Sequence, residues 1–174
     1  MSIDARIKKL AKGLSAQQAA DAFVRAREDP TSISPHERGR AEEFEATVEA
    51  MFLMAAVDGE LGEQEMAQLA ASVDAFAALD PKAARRIDAG PLLVAMNDKL
   101  ERDGWNKRLV AVAERLREQE ARAFAFRLAA GVAFVDDHVA HAEAAALEAL
   151  ASALKIGPDE SQEILYDVRD SLFA

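Results

Sequence analysis

The chain of 174 residues contains no cysteine. This absence excludes disulfide bonds, thiolate zinc sites and cysteine nucleophiles, and it fits a reducing, cytoplasmic location. Aromatic residues are also scarce, at 6%, although apolar residues together make up 51%. The core should therefore consist mainly of Ala, Leu and Val. Alanine favours helix because it loses no side-chain entropy there, and Val and Ile never form period-two runs, so we predict an all-α fold.

Long apolar stretches are missing as well. The apolar run from Leu128 to Val135 spans only eight residues, whereas a membrane-spanning helix needs roughly 20. The segment from Met1 to Gly13 is basic but has no apolar stretch behind it, so it does not read as a secretory signal. We therefore expect a soluble protein with no transmembrane segment. The basic cluster of Lys8, Lys9 and Lys12 leaves peripheral contact with an anionic membrane open.

Positive charge is in the minority, and the net charge is −10. Such a surface repels phosphate backbones, so we predict no nucleic-acid partner; cations or a basic protein surface are favoured instead. A charged surface that keeps an Ala-rich protein in solution explains the same composition. The phosphate-binding, dinucleotide-binding and H-E-x-x-H zinc motifs are all absent. The sequence therefore predicts a protein that binds an unidentified protein partner rather than an enzyme.

Helical periodicity and turn signals predict about seven to nine helices in a single domain. An N-terminal helical extension covers residues 1–35 and ends in the loop sequence DPTSISP. The segment from Ala121 to Val135 is apolar on almost every side, so that helix should lie in the middle of the fold. Gly157 and Pro158 are typical of one helix ending and another beginning.

A helix–acidic turn–helix unit occurs twice, in residues 41–80 and 119–157. The turn from Val57 to Glu65 (VDGELGEQE) aligns without gaps with the turn from Val135 to Glu143 (VDDHVAHAE), at an offset of 78 residues. Both turns begin with an apolar residue and Asp and end with Glu. The sequence therefore predicts a bundle with an internal pseudo-two-fold repeat.

The aspartates of these turns fall at predicted helix C-termini, where the macrodipole disfavours negative charge by about 0.3–1 kcal/mol. Two interpretations remain open. The free N–H groups of the following helix stabilise the carboxylates, or a divalent cation does, with Asp58, Glu65, Asp136 and Glu143 as oxygen ligands. Both glutamates lie in a first helical turn, where a carboxylate is favoured in any case. Glu65 also stands three residues after Gly62, as in a partial capping box.

The acidic turns resemble those of the tellurite-resistance TerB family and of the wider TerB-like group. In the family pattern an Ala-rich helix ends in Ala-Asp-Gly, a short turn follows, and Glu opens an amphipathic helix. Here the pattern appears from Ala55 to Glu65, and a degenerate copy runs from Ala133 to Glu143 and is followed by a family-like ending at Leu154 to Gly157. The resemblance extends over residues 41–172.

This resemblance implies an all-helical bundle whose acidic turns approach one another at the interface between the repeats. It also implies a divalent-metal site, for calcium, magnesium, manganese or zinc. It implies no established enzyme activity, and it implies association with stress-response or membrane-linked bacterial assemblies.

The second copy departs from the pattern at two positions. Asp137 stands where the first copy has Gly59, and His141 stands where it has Glu63. Either these residues strengthen a metal site or the second copy has drifted. The candidate ligands are therefore Asp58, Glu65, Asp136, Asp137 and Glu143. A metal-dependent enzyme that uses the same carboxylates is the alternative function.

The remaining candidates for function are few. His138 and His141 would share a face if helical, and His36 follows a proline at a helix start; all three are interpreted as surface histidines. Trp105, the sole tryptophan, either anchors a partner or packs under a loop. The phenylalanines are interpreted as core: Phe124, Phe126 and Phe134.

Overall fold

The computed structural model describes residues 10, 14–57, 61–77, 87–135, 138–139 and 141–173. Within these ranges the chain forms eight α-helices and one pair of two-residue strands, which confirms the predicted all-α class. The elements are α1 (Leu14–Glu28), α2 (Pro35–Ala55), α3 (Glu63–Ala77), α4 (Ala89–Asp103), α5 (Trp105–Arg115), α6 (Gln119–Ala133), β1 (Phe134–Val135), β2 (His138–Val139), α7 (His141–Ala153) and α8 (Pro158–Phe173).

Helix α2 lies at the centre of the bundle. Its most extensive contacts are with α1 and α6, followed by α5, and it also touches α3, α4 and α7. Every residue from Ala46 to Met54 is buried, on all sides of the helix. Helix α6 packs extensively on α2, and Phe126 and Leu128 are among its buried residues. The most enclosed helix is therefore α2, with α6 beside it.

The start of α2 is determined by local sequence. Ser34 Oγ accepts a hydrogen bond from the Glu37 backbone N–H at 3.2 Å, and the Glu37 carboxylate accepts one from the Ser34 N–H at 3.4 Å. These reciprocal bonds form a capping box, and Pro35 occupies the first helical position, where its missing N–H costs nothing. The loop before α2 thus ends as the sequence predicts.

An aromatic series connects four helices across the core. Phe23 of α1 contacts Phe44 of α2 with ring centroids 4.8 Å apart, and Phe44 contacts Phe76 of α3 at the same distance. Phe76 then meets Phe124 of α6 edge-on at 5.8 Å. Phe126 and Phe134 are buried, so the interpretation of the phenylalanines as core is confirmed. Because Phe23 belongs to this series, α1 is part of the main core.

Trp105 packs within the fold. Its indole N–H donates to the Leu53 carbonyl oxygen at 2.9 Å, and the ring packs partly buried against the core. Leu53 lies in the last turn of α2, where carbonyl groups have no partner within the helix. Trp105 therefore satisfies one of these groups and attaches the start of α5 to the end of α2.

Helix α6 ends two residues earlier than the apolar pattern predicts. Phe134 and Val135 leave the helix and pair antiparallel with Val139 and His138. β-Branched and aromatic residues suit an extended backbone, which explains why the apolar run does not continue as helix. His138 lies in this strand, so it does not share a helical face with His141.

The end of α7 differs from the expected Gly-Pro stop. Lys155 adopts a left-handed backbone with φ of 57°. Its N–H donates to the Ser152 carbonyl at 3.1 Å, and the Ile156 N–H donates to the Ala151 carbonyl at 2.9 Å. These two bonds are a Schellman motif with Lys155 in the position that glycine usually occupies. Pro158 begins α8, as its position predicts.

No described helix combines the length and apolarity that crossing a membrane requires.

We expect Lys155→Gly to stabilise the protein. A non-glycine residue in the left-handed region costs about 1–2 kcal/mol of stability, and glycine removes this cost. Glycine also loses more conformational entropy on folding, which offsets about 0.5–1 kcal/mol of the gain. The free energy of unfolding, measured with urea, should therefore rise by about 0.5–1 kcal/mol. Ser152→Gly, in the exposed last turn of α7, should instead lower it by about 0.5–1 kcal/mol. Destabilisation by both substitutions would contradict the left-handed cap.

Candidate functional site

The predicted acidic turns are only partly within the described residues. Asp58, Asp136 and Asp137 lie outside them, so their mutual arrangement remains a prediction. Glu65 and Glu143 are described, and each lies in the first turn of its helix, α3 and α7. Their environments differ, although the sequence places them at equivalent positions.

Glu65 is exposed and makes a local bond. Its Oε2 accepts a hydrogen bond from the Gly62 N–H at 3.2 Å. This is the backbone-capping half of a capping box, as the spacing of Gly62 and Glu65 predicts. Oε1 has no such bond to Gly62, so Glu65 can cap its helix and still offer one carboxylate oxygen to a ligand.

Glu143 is less exposed to solvent than Glu65. The side chain is partly buried, and its Oε2 atom is fully enclosed with no hydrogen-bond partner among the residues that the structure describes. An unsatisfied buried oxygen costs about 1–3 kcal/mol, and more when it belongs to a charged group. A cation at this oxygen would offset that cost. This oxygen is therefore a suitable ligand for a hard divalent ion, because such ions prefer carboxylate oxygens.

The residues that the structure describes do not by themselves form a complete metal centre. His36 and His141 are exposed at the first turns of α2 and α7, as interpreted from the sequence. Among the residues that the structure describes, no three His, Asp or Glu side chains are grouped to hold a metal ion. Any site would thus need Glu143 together with the aspartates of the turns.

The structure also contains a buried charged cluster that the sequence analysis missed. Glu49, in the middle of α2, is only 1% exposed. Arg108 of α5 binds it in a bidentate manner, with Nε donating to Oε2 at 2.7 Å and Nη2 donating to Oε1 at 2.8 Å. Arg115, two turns further along α5, also donates to Oε1. Both carboxylate oxygens are therefore occupied.

Further ion pairs extend this cluster to the surface. Arg108 Nη1 lies 3.1 Å from Asp103 Oδ2 at the end of α4. Lys99 of α4 and Arg115 of α5 lie 3.5 and 3.6 Å from Glu45 Oε1, one turn before Glu49. The cluster thus joins α2, α4 and α5, with its buried centre at Glu49.

The protonation states follow from these contacts. Burial opposes the charge on Glu49, but hydrogen bonds from Arg108 and the nearby charge of Arg115 outweigh it, so the pKa of Glu49 lies below its ordinary value. The hydrogen bond with Glu49 raises the pKa of Arg108. Hydrogen bonds from Arg102 and Arg108 lower the pKa of Asp103 to about 2. Glu49 is therefore ionised and fully bonded, which suits a structural clamp and not a general acid or base.

Two signals in the sequence point to this clamp. Glu49 is the single charged residue between Ala46 and Val57, a stretch that is otherwise almost entirely apolar. Arg108 and Arg115 are seven residues apart, which places both on one face of α5. A lone carboxylate in such a stretch is rarely buried without a partner, so the pair of arginines is the natural counterpart to look for.

We expect Glu49→Gln to lower the free energy of unfolding at pH 7 by about 3–5 kcal/mol, because it removes the charge that pairs with the buried guanidinium group of Arg108 and the partly buried one of Arg115. Urea unfolding measures this loss. Glu45→Gln is the matched control on the same helix. Its ion pairs are partly exposed, so it should cost less than about 1 kcal/mol. Equal effects of the two substitutions would contradict the clamp.

The stability that Glu49 contributes should also depend on pH. Its folded pKa is lowered, so the contribution is fully present above the unfolded value of about 4.3 and is lost as the pH falls through the folded pKa. The difference in unfolding free energy between the wild type and Glu49→Gln should therefore shrink below about pH 4. A difference that stays constant from pH 7 to pH 3 would show that the charge of Glu49 is not what stabilises the fold.

Comparison with protein-family models, with curated proteins and with solved structures found no match for this chain.

Proposed function

We propose that this chain is a cytoplasmic, non-catalytic, TerB-like module that binds a divalent cation through its paired acidic turns and contacts a protein partner in a stress-response assembly. The resemblance of both turns to the TerB family supports this proposal, and so does the acidic surface with a net charge of −10. The absence of cysteine agrees with a cytoplasmic setting.

The observation that carries the proposal is the enclosed Oε2 of Glu143, for which the described residues supply no hydrogen-bond donor. Glu143 belongs to the second acidic turn, which the resemblance to the TerB family implies to lie against the turn of Glu65. A hard cation between the turns would neutralise Glu143 and the neighbouring aspartates together, which gives a reason for carboxylates to recur in both turns.

The non-catalytic part of the proposal has its own support. The carboxylate most deeply buried in the described ranges, Glu49, has both oxygens bonded to arginines. Its charge is therefore already paired, which suits a structural role better than that of a general base. Glu65 and Glu143 lie in the first turns of α3 and α7. An ion bound there would bring two chain segments together and order the surface around them.

Isothermal titration calorimetry with calcium, magnesium, manganese and zinc tests the cation. We expect one of these ions to bind, and Glu143→Gln to raise the Kd at least about tenfold, which corresponds to about 1.4 kcal/mol for the lost charged ligand. Glu148→Gln, an exposed carboxylate on the same helix, is the control and should leave the Kd unchanged.

Asp58→Asn and Asp136→Asn extend the same measurement to the two turns. If the turns share one ion, each substitution should weaken binding by itself. Loss of binding in only one of them would show that the turns act separately. The absence of any binding heat at millimolar metal would contradict the cation-binding part of the proposal.

A further inference from the structure

A groove lies between α7 and α8. Both helices pack on α6, and Phe126 of α6 forms the floor. The cavity has a volume of about 130 Å³. Its lining residues on the two helices are Ala144, Leu147, Glu148, Ala151, Ser161, Gln162 and Leu165.

The groove is apolar at depth and polar at its edges. Phe126 and Leu147 are buried, at 1% and 3% exposure. Glu148 on the α7 wall and Gln162 on the α8 wall are exposed. This arrangement resembles the anatomy of a binding surface, in which an apolar centre is surrounded by a polar rim.

An exposed aromatic residue extends the α8 wall. Tyr166 is 62% exposed, the largest such fraction among the large apolar and aromatic side chains that are described. It stands one helical turn beyond Gln162, so the two lie on the same face of α8. Tyrosine at such a rim contributes apolar contact area together with a hydroxyl group, and it attracts cationic side chains to its ring.

The surroundings of the groove are strongly acidic. Residues 141–173 contain seven acidic and two basic side chains, so this segment carries half of the net charge of −10. Glu148 lines the groove itself, and Asp159, Glu163 and Asp170 are exposed on α8. A second copy of this chain would bring like charges together here, whereas a basic segment would complement them.

We propose that the α7–α8 groove docks a basic, amphipathic helical segment of a protein partner. One apolar side chain of that segment would rest on Phe126 between Leu147 and Leu165. Its Lys or Arg side chains would pair with Glu148 and the carboxylates of α8 and lie against Tyr166. This is the helix-in-groove mode of recognition. The inference rests on the proposed role as an interaction module, but it does not depend on the cation.

The test uses two synthetic peptides as probes: an 18-residue amphipathic helix of Leu and Lys, and its counterpart of Leu and Glu. Added to the full-length ¹⁵N-labelled protein, the Leu–Lys peptide should shift amide resonances of α7 and α8 around the groove. The Leu–Glu peptide should shift none of them, because its charge has the same sign as the surface.

Two adjacent alanines supply a matched pair of variants. Ala144 and Ala145 are both exposed on α7, but only Ala144 lines the groove. Ala144→Phe should fill the groove and raise the Kd of the Leu–Lys peptide at least about tenfold, while Ala145→Phe should leave it unchanged. Tyr166→Ala should weaken binding, whereas Val110→Ala, at another exposed apolar residue, should have no effect. Unchanged circular dichroism confirms that each variant is folded.

Several outcomes would overturn the inference. Resonance shifts spread over all acidic surfaces would indicate non-specific attraction, and equal affinities of Ala144→Phe and Ala145→Phe would exclude the groove. Self-association in sedimentation equilibrium that Ala144→Phe abolishes would make a second copy the occupant instead. Calorimetry of Ala144→Phe with the metal ions separates this inference from the proposed function: retained cation binding with lost peptide binding shows two independent sites.

Discussion

The burial of α2 on all of its sides from Ala46 to Met54 is the constraint around which the described fold is arranged. A helix enclosed from Ala46 to Met54 has no face left for a charged side chain, yet it carries Glu49. The charge is tolerated because Arg108 and Arg115 reach it from one face of α5 and saturate both oxygens. Apolar residues of the same volume would stabilise such a core equally well or better. The ion pairs contribute orientation, because a bidentate contact fixes where α5 lies along α2.

The helices packed around α2 also position the regions to which we assign function. Trp105 and the Glu49 clamp hold α5 to α2, and the aromatic series from Phe23 to Phe124 holds α1, α3 and α6. Glu65 and Glu143 lie in the first turns of α3 and α7, and the α7–α8 groove lies where α7 and α8 pack on α6. A well-packed centre suits a binding module, since ligands then meet preformed helix ends and grooves.

Much of the fold could be predicted from the sequence, because helix periodicity, caps and glycine or proline breaks act locally. The capping box of Ser34 and the break at Gly104 are examples. Two features could not be predicted from local patterns. The apolar run after Ala133 suits a strand as well as a helix, and Lys155 takes a left-handed conformation that the sequence would assign to Gly157. In both places the tertiary packing decides between local alternatives.

The environments of the candidate site residues could likewise be predicted from the sequence only in part. Glu65 caps its helix as its spacing from Gly62 predicts, whereas the enclosure of Glu143 depends on packing that no spacing reveals. The partners of Glu49 come from residues 59 and 66 positions away in the chain. A lone carboxylate in an apolar stretch signals that a partner exists, but only the fold identifies which arginines supply it.

The central functional claim is that the two acidic turns share one cation. Manganese added to the ¹⁵N-labelled protein tests it most directly, because the ion broadens the resonances of nearby amides. The account predicts that stoichiometric manganese broadens the amides around Glu65 and those around Glu143 together, and that Glu143→Gln abolishes both effects. Broadening confined to one turn, or distributed along the acidic surface of α8, would contradict it.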